Sequence, residues 1–198
     1  GDPRPVGEIV RGIVALADIV LLDASQDCRS DVGGFITSTD DAAFERFRNK
    51  VVVFEGLHSY GGMTGRAMEV FAVGLSEMIR EEYTDWYAHQ VAFLHGALAA
   101  RGVPVHHGGK GIALDAGRFL PHLDADDHPK YTLAACLYLQ GGIRGRIEGT
   151  WAHHTGGAQQ DMLMFELPRC AYTKDQLVEL ANLVAAVYDN REEITGLA

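Results

Sequence analysis

Three arginines carry the type of side chain that binds anionic groups. Arg66 closes the glycine-rich stretch KVVVFEGLHSYGGMTGR, and Arg144 and Arg146 follow a Gly-Gly-Ile segment. A guanidinium can donate two parallel hydrogen bonds to a planar anion such as carboxylate or phosphate. For each arginine a structural ion pair is the alternative, and loop geometry equally explains the glycines. Each arginine is therefore a candidate for carboxylate or phosphate binding.

Histidine is the second residue type with chemical potential. The nine histidines include the pairs His106-His107 and His153-His154. A neutral imidazole can ligate a metal ion or haem iron. Adjacent residues of a strand point to opposite faces, so neither pair is a ready-made chelate, and exposed loop histidines are the favoured interpretation. The three cysteines are irregularly spaced and predict neither a disulfide framework nor a zinc site. We expect no metal site.

A polar turn between two apolar segments is the best place for chemistry in the sequence. The run Asp18–Leu22 predicts one strand, and Gly33–Ser38 predicts a second. The turn between them contains Ser25 and Gln26. Loops held by a rigid sheet often carry function, so we predict two buried strands that display this turn.

Helical periodicity accounts for much of the remaining chain. Predicted helices cover Pro5–Ala17, Ala42–Asn49, Arg66–Ala100 with a break near Glu81-Glu82, Tyr131–Gln140, and Lys174–Asn190 behind a Thr173 cap. Strands are expected at Val103–Val105 and from Gly142.

Composition excludes several classes of partner. The chain has 198 residues, 47% of them apolar, and a net charge of −10. Nucleic acids and anionic membranes require a basic face, so neither is an expected partner. No apolar run approaches the roughly 20 residues that span a bilayer. With few cysteines and no visible signal peptide, the expectation is a cytoplasmic globular protein.

Two stretches resemble the aromatic amino acid β-eliminating lyases, tryptophanase and tyrosine phenol-lyase. The first is LLDASQDCRSDVGGFITS, residues 21–38, and the second is residues 50–66. In the second and directly after it, the matching positions are Glu55, Gly56, Ser59, Tyr60, Gly61, Gly62, Gly65, Arg66, Met68 and Glu69. Further matches are Gly142-Ile143-Arg144 and Leu167-Pro168-Arg169, with Tyr172-Thr173. The resemblance covers nearly the whole chain but only the second half of a family member.

The resemblance implies a fold and a domain division. The fold class is α/β: the second half of a fold-type I PLP-transferase-like large domain, followed by the α+β small C-terminal domain. Residues 1–80 correspond to the partial large domain and the start of a long connecting helix, and residues 81–198 to the small domain. The family's N-terminal half carries the phosphate-binding loop and the groups that hold the pyridine ring. We therefore expect a partner chain that supplies this half, because a half-sheet exposes strand edges and apolar surface.

The resemblance also shows departures at positions that carry the family's chemistry. Aligned on Asp27, Cys28 and the Gly33-Gly34 pair, the lysine that forms the Schiff base with pyridoxal phosphate (PLP) falls on Gln26, and the lysine before it on Ser25. A carboxamide cannot form an imine. Lys110 stands where the small domain has histidine, and Met164 where an arginine holds the substrate carboxylate.

These positions give the candidate sites. Gln26, His58 and Tyr60 are the catalytic candidates, Ser25, Gln26 and Arg66 the cofactor-binding ones, and Arg144 and Arg169 the substrate-binding ones. His58 replaces a family proline in a loop near the active site. For Gln26, a plain turn residue left after loss of function is an equal alternative.

Three functions follow as alternatives. The first is a subunit of a split lyase-like enzyme acting on an aromatic amino acid, a hetero-oligomer whose PLP is non-covalent or held by a partner lysine. The second is a lyase fold that binds haem or a metal for different chemistry. The third is a non-catalytic pseudoenzyme subunit.

Overall fold

The computed structural model describes residues 3–28, 30, 32–57, 60–147, 161–169 and 171–197. Gln26, Asp27 and Tyr60 are described by their backbone alone. The chain divides into two compact units, Gly1–Trp86 and Tyr87–Ala198, which we call the first and second units. The assignment of these regions to a large and a small domain stays a prediction.

Short helices and strand pairs build the first unit. In chain order they are α1 (Val6–Val14), β1 (Ile19–Asp23), α2 (Ala24–Asp27), β2 (Gly34–Ser38), α3 (Asp41–Phe54), β3 (Gly56–Leu57), β4 (Tyr60–Gly61) and α4 (Gly65–Glu77). Strands β1 and β2 are antiparallel, with register from Ile19↔Ser38 to Asp23↔Gly34, and β3 pairs with β4 in a separate ladder.

The two predicted strands are present, but their predicted burial is wrong. Phe35 packs against Phe71 of α4, with ring centroids 6.2 Å apart. Leu21 and Ile36 pair across the two strands, one position away from the Leu22–Phe35 pair. Their side chains therefore point to the face of the strand pair opposite to that of Phe35. There Leu21 is 72% exposed and Ile36 is 41% exposed. The apolar run identified the strands, whereas burial requires a second packing layer.

The first-unit helices follow the predicted order. No residue of α1 is buried, and its side chains Val10, Ile13 and Val14 are exposed, as is Leu16 just after the helix. Asp40 caps α3 by accepting from the Ala42 backbone N–H at 2.9 Å. This helix is longer than predicted because it continues through the β-branched residues 51–53, against their weak local preference.

The second unit begins within helix α5 (Glu81–Ala99), which is separated from α4 by three residues near the predicted break. The elements after it are β5 (Val105–His107), β6 (Gly111–Asp115), α6 (Ala116–Phe119), α7 (Pro129–Gly141), β7 (Arg146–Ile147), β8 (Met162–Glu166) and α8 (Lys174–Asp189), with 3-10 turns at Ala125–Asp127 and Arg191–Glu193. Gly102, with φ of +75°, ends α5 as predicted.

An antiparallel sheet with strand order β5-β6-β8-β7 organises the second unit. One face packs into a continuous core whose largest buried members include Leu94, Leu98, Ile112, Leu114, Phe119, Leu133, Leu137, Leu163 and Leu177. The other face carries a smaller buried cluster of Ala113, Met162 and Met164. Thr173 caps α8 as predicted, in a reciprocal capping box with Gln176. Among the described residues, no helix is long and apolar enough to cross a membrane.

Candidate functional site

The turn between β1 and β2 is a single helical turn, α2, held by its own cap. Asp23 Oδ1 accepts hydrogen bonds from the Ser25 backbone N–H at 3.0 Å and from the Ser25 hydroxyl at 2.6 Å. Asp23 therefore fixes the start of α2, and the predicted cofactor-binding residue Ser25 is engaged in this cap. Gln26 is the third residue of α2, and its predicted side-chain role lies outside the described part of the chain.

Two glycines close the turn onto the strands. The Ala24 N–H donates to the Gly33 carbonyl at 2.9 Å. Gly33 has φ of +103°, and a side chain at Gly34 would clash with the Leu22 carbonyl oxygen. The Gly-Gly pair is thus required by left-handed backbone at one residue and by close strand approach at the next. These contacts explain why the turn needs both glycines.

Helix α4 presses directly against the end of α2. A Cβ atom at Gly74 would overlap the Cys28 carbonyl oxygen, so the helix and the turn touch through backbone atoms. The Cys28 thiol, which is fully buried, lies 3.4 Å from the Met78 sulfur. The helix that begins in the glycine-rich stretch therefore positions the turn. Sequence analysis did not identify Gly74. A glycine in the middle of a helix lowers the helix's stability, so its presence there indicates that close packing requires it.

Arg66 lies in the first turn of α4, exposed to solvent. Thr64 caps this helix by accepting from the Ala67 N–H at 3.2 Å. Arg66 lines an open groove of about 420 Å³ along one face of α4, together with Glu69, Val70, Val73, Gly74 and Glu77. The same groove thus holds one guanidinium and two carboxylates. Both the anion-binding interpretation and the ion-pair alternative stay compatible with this arrangement.

The catalytic candidates of the β3–β4 region are only partly described. His58 lies outside the described residues. The Tyr60 backbone belongs to β4, which pairs with β3 through Leu57↔Tyr60, and its predicted side-chain role also lies outside the description. The structure therefore brings the backbones of the turn, α4 and the β3–β4 ladder into one unit, and the side-chain chemistry remains a prediction.

In the second unit, Arg169 lies over an aromatic ring. Its guanidinium lies 5.3 Å from the centroid of the Tyr87 ring. The Tyr87 hydroxyl donates to the Lys110 carbonyl oxygen, which also accepts from the Leu167 N–H at 3.0 Å. Tyr87 thus connects the β5–β6 turn, which contains Lys110, to the segment that carries Arg169. Arg144, the other substrate-binding candidate, is exposed between α7 and β7.

Met164 occupies a buried position next to an ion pair. Its register partner across β7–β8 is Arg146, whose guanidinium lies 2.6 Å from Glu166 Oε1. Met164 is 4% exposed and lies against Gly108, where an added Cβ would be 2.9 Å from its terminal methyl. Arg146 therefore has the structural ion pair that sequence analysis gave as the alternative to anion binding.

The histidines of β5 point to opposite faces of the sheet, as the strand pattern requires. His107 stacks near His95 with ring centroids 5.3 Å apart, whereas His106 Nε2 lies 4.0 Å from Asp115 Oδ2. In the described part of the chain, no group of three or more His, Cys, Asp and Glu side chains is arranged to hold a metal ion. His153 and His154 lie outside that part.

Comparison with known proteins identifies relatives of the chain. No protein-family model matches the chain. The chain is 35% identical to tyrosine phenol-lyase of Intrasporangium calvum over 202 residues, which cover 98% of this chain and 43% of that protein. It is 33% identical to tyrosine phenol-lyase of Pasteurella multocida, over 97% of this chain and 44% of the relative. It is 34% identical to tryptophanase of Salinibacter ruber, over 99% of this chain and 43% of the relative.

The chain is a homologue of the aromatic amino acid β-eliminating lyases. The predicted resemblance is confirmed over almost the full length of the chain. This lyase homologue spans less than half the length of the curated relatives it matches, which is consistent with a C-terminal half.

Solved structures confirm the predicted fold class. SPT with a PLP internal aldimine has a TM-score of 0.64 and 16% identity, over 92% of this chain and 42% of that chain. Serine palmitoyltransferase from S. paucimobilis with a bound PLP–myriocin aldimine has a TM-score of 0.58 and 18% identity, over 93% and 43%. The lyase homologue therefore has the α/β fold of part of a fold-type I PLP enzyme.

Proposed function

We propose that this lyase homologue is one part of an enzyme acting on an aromatic amino acid, and that a second chain supplies the N-terminal part of the fold. The share of the relatives that the chain covers, about 43%, supports a partial fold. The observation that carries the proposal is the amount of apolar surface that the first unit exposes.

Large hydrophobic side chains are exposed throughout the first unit. Those at least 40% exposed are Ile13, Val14, Leu16, Ile19, Leu21, Val32, Ile36, Phe44, Val51, Val53, Phe54, Leu57, Met68, Val73, Ile79 and Trp86. Most of them lie on α1, on one face of the β1–β2 pair, on α3 and on α4. Soluble monomers rarely expose large apolar patches, and a strand pair with open edges accepts further strands. A complementary protein surface that covers these faces accounts for both features.

The residues at the turn do not fit a covalently bound PLP. An internal aldimine requires an unprotonated lysine amine, whereas α2 contains Ala24, Ser25, Gln26 and Asp27. The carboxamide of Gln26 is not nucleophilic enough to form an imine. Within the first unit the sequence has one lysine, Lys50, which lies exposed on α3. We therefore assign the imine-forming lysine of a PLP-dependent assembly to the partner chain, and we derive no step through PLP from this chain.

The other candidate residues have roles that follow from their chemistry. We propose that the Gln26 carboxamide and the Ser25 hydroxyl hydrogen-bond to a cofactor, and that Arg66 pairs with its anionic group. His58 and Tyr60 would move protons at the reacting substrate. Arg144 and Arg169 would bind the substrate carboxylate, because the arginine expected for this role is replaced by the buried Met164.

The partner proposal is tested with matched surface substitutions. Leu21→Asp places a charge on the exposed face of β1, whereas Leu139→Asp does the same on α7 of the second unit, where Leu139 is 81% exposed. The protein is purified from its native source, and the associated polypeptides are identified by mass spectrometry. We expect a second chain with the N-terminal sequence of a fold-type I enzyme, lost with Leu21→Asp and retained with Leu139→Asp. Finding both parts on one longer polypeptide, or no second part at all, would contradict the split arrangement.

The visible spectrum of the purified assembly tests the chemistry. An aldimine band that borohydride removes, with the label mapped to a partner lysine, would support the proposed arrangement. A PLP band with no borohydride-labelled lysine would indicate non-covalent cofactor, and an intense Soret band would indicate haem. A featureless spectrum together with an inactive assembly would favour the pseudoenzyme alternative and overturn the enzymatic proposal.

A further inference from the structure

A cavity of about 490 Å³ lies in the second unit, and none of its described lining residues is used in the proposed function. Its walls are the C-terminal halves of α7 and α8 and the segment that follows α8. The volume is within the range of pockets that hold small organic ligands. Cys136 and Gln140 line it from α7, Leu183 and Val187 from α8, and Glu193 and Ile194 from the following segment.

The wall formed by the last segment is anchored at several points. His122 Nε2 is hydrogen-bonded to the Ile194 carbonyl at 2.8 Å, and the Leu197 N–H donates to Thr132 Oγ1 at 3.1 Å. Gly196 sits so close to Asp127 that a side chain at residue 196 would clash with it. These contacts fix the segment that forms this wall. The cavity is therefore preformed, which lowers the ordering cost of binding.

On the opposite side, α7 and α8 approach each other at Gly141. A Cβ atom there would lie 2.9 Å from Leu183 Cδ1, so the two helices are close beside the cavity. The cavity is the space that opens beyond this contact. Four of its lining side chains, those of Leu183, Ala186, Val187 and Ile194, are apolar.

One of the described residues that line the cavity has a carboxylate side chain. Among the described residues that line the cavity, Glu193 is the one acidic residue, and none is a lysine or an arginine. Burial raises the pKa of the Cys136 thiol, so the thiol is neutral near pH 7. The Asn190 side-chain NH₂ already donates to the Ala186 carbonyl at 2.8 Å. The described lining thus combines apolar side chains, the uncharged polar residues Gln140, Asn190 and Thr195, and one carboxylate, a set that complements a hydrocarbon body carrying a cation.

We propose that this cavity binds a small apolar amine, with its ammonium group paired to Glu193 and its hydrocarbon part against Leu183 and Val187. Because the residues of the proposed lyase site lie elsewhere in the chain, this inference does not depend on the proposed function. The amine would be an effector or an additional ligand of the second unit.

Three probes with the same aromatic body separate charge from hydrophobicity. They are 2-phenylethylamine, the neutral 2-phenylethanol and the anionic 3-phenylpropionate. The readout is the rate at which a thiol reagent modifies Cys136 in the full protein, with the Cys136→Ser variant measured in parallel as the background. Cys28 is fully buried, and the Cys136→Ser background accounts for any reaction at the remaining cysteine, Cys170. We expect the amine to slow modification most strongly, the alcohol more weakly and the acid least.

Two variants test the assignment of the groups. Glu193→Gln should weaken amine binding about fivefold, the effect of losing a solvent-accessible charge pair, and leave the alcohol unchanged. Ala186→Leu places a larger side chain among the residues that line the cavity. It should abolish protection by all three probes, while circular dichroism shows an unchanged fold. Equal protection by amine and acid, or amine protection that survives both substitutions, would overturn the proposal. Absence of protection by any probe at millimolar concentration would overturn it as well.

Discussion

The two units bury very different side chains. Among the described residues of the first unit, the buried apolar side chains are small: Ala24, Cys28, Ala43 and Ala67. The second unit buries a continuous set of large residues, including Phe119, Leu94, Leu114, Leu133 and Leu163. Burial of large apolar side chains is the main favourable term in folding. The second unit therefore has a core of its own, whereas the first unit leaves many large apolar side chains exposed.

The difference in burial between the two units bears on the stability of the candidate site in the first unit. The turn, its cap and α4 are held by close backbone contacts, at Gly34 and Gly74, and by few buried side chains. Such contacts define geometry accurately but contribute little hydrophobic free energy. We infer that the candidate site acquires its full stability when the first unit is covered, while the second unit folds without that help.

A matched pair of phenylalanine truncations gives the largest expected difference between the units. Phe119 is fully buried and Phe44 is 46% exposed. Phe119→Ala should lower the free energy of unfolding by about 3–5 kcal/mol, and Phe44→Ala by about 0.5 kcal/mol or less. Urea unfolding of the isolated chain, followed by circular dichroism, measures both. Similar losses at the two sites would show that the first unit has a core of its own.

A pair of glycine substitutions tests the contact between α2 and α4. Gly74→Ala would force the Cys28 carbonyl away from the helix and should cost about 1–3 kcal/mol. Gly96 in α5 has open space around it, so Gly96→Ala should stabilise the chain by about 0.5–1 kcal/mol. Hydrogen exchange of residues 20–38 together with thermal unfolding reports both effects. A neutral Gly74→Ala variant would mean that α4 does not position the turn.

The two threonine caps sharpen the comparison at smaller magnitude. Thr173 caps α8 of the second unit, and Thr64 caps α4 of the first. Thr173→Ala should lower the free energy of global unfolding by about 1 kcal/mol. Thr64→Ala should leave global unfolding of the isolated chain nearly unchanged and increase hydrogen exchange within α4. The reverse ranking would place the cooperative core in the first unit.

The smallest expected effect is a pH dependence at Cys136. Because burial raises the pKa of this thiol above its usual value of 9.0, the folded protein binds the proton more tightly than the unfolded chain does. The resulting stability is fully present below the unfolded pKa and is lost as the pH rises through the folded pKa. We therefore expect the denaturant midpoint to fall with rising pH slightly more for the native sequence than for Cys136→Ser. The pH series should run from about one unit below the usual thiol pKa to about one and a half units above it. An identical pH dependence of the two proteins would remove burial as the cause.

Several elements were predictable because their signals are local. The Thr173 cap with Gln176 and the apolar spacing behind it placed α8, and Gly102 marked the end of α5. The motif around residues 50–66 was enough to predict the lyase family, since an ungapped run of matching loop residues is specific. By contrast, the predicted burial of β1 was wrong, because an apolar run indicates a strand and carries no information on whether a second layer covers it.

The sequence by itself determined the resemblance to the lyase family, the positions of the longer helices and the identity of the residue at the turn, where Gln26 cannot form an imine. These properties depend on residue types and short-range spacing. Only the tertiary structure showed that Gly74 presses α4 onto the turn, that Arg146 pairs with Glu166, and that a preformed cavity lies beside Cys136. Those features join residues far apart in the chain, and their distances follow from how helices and strands pack against each other.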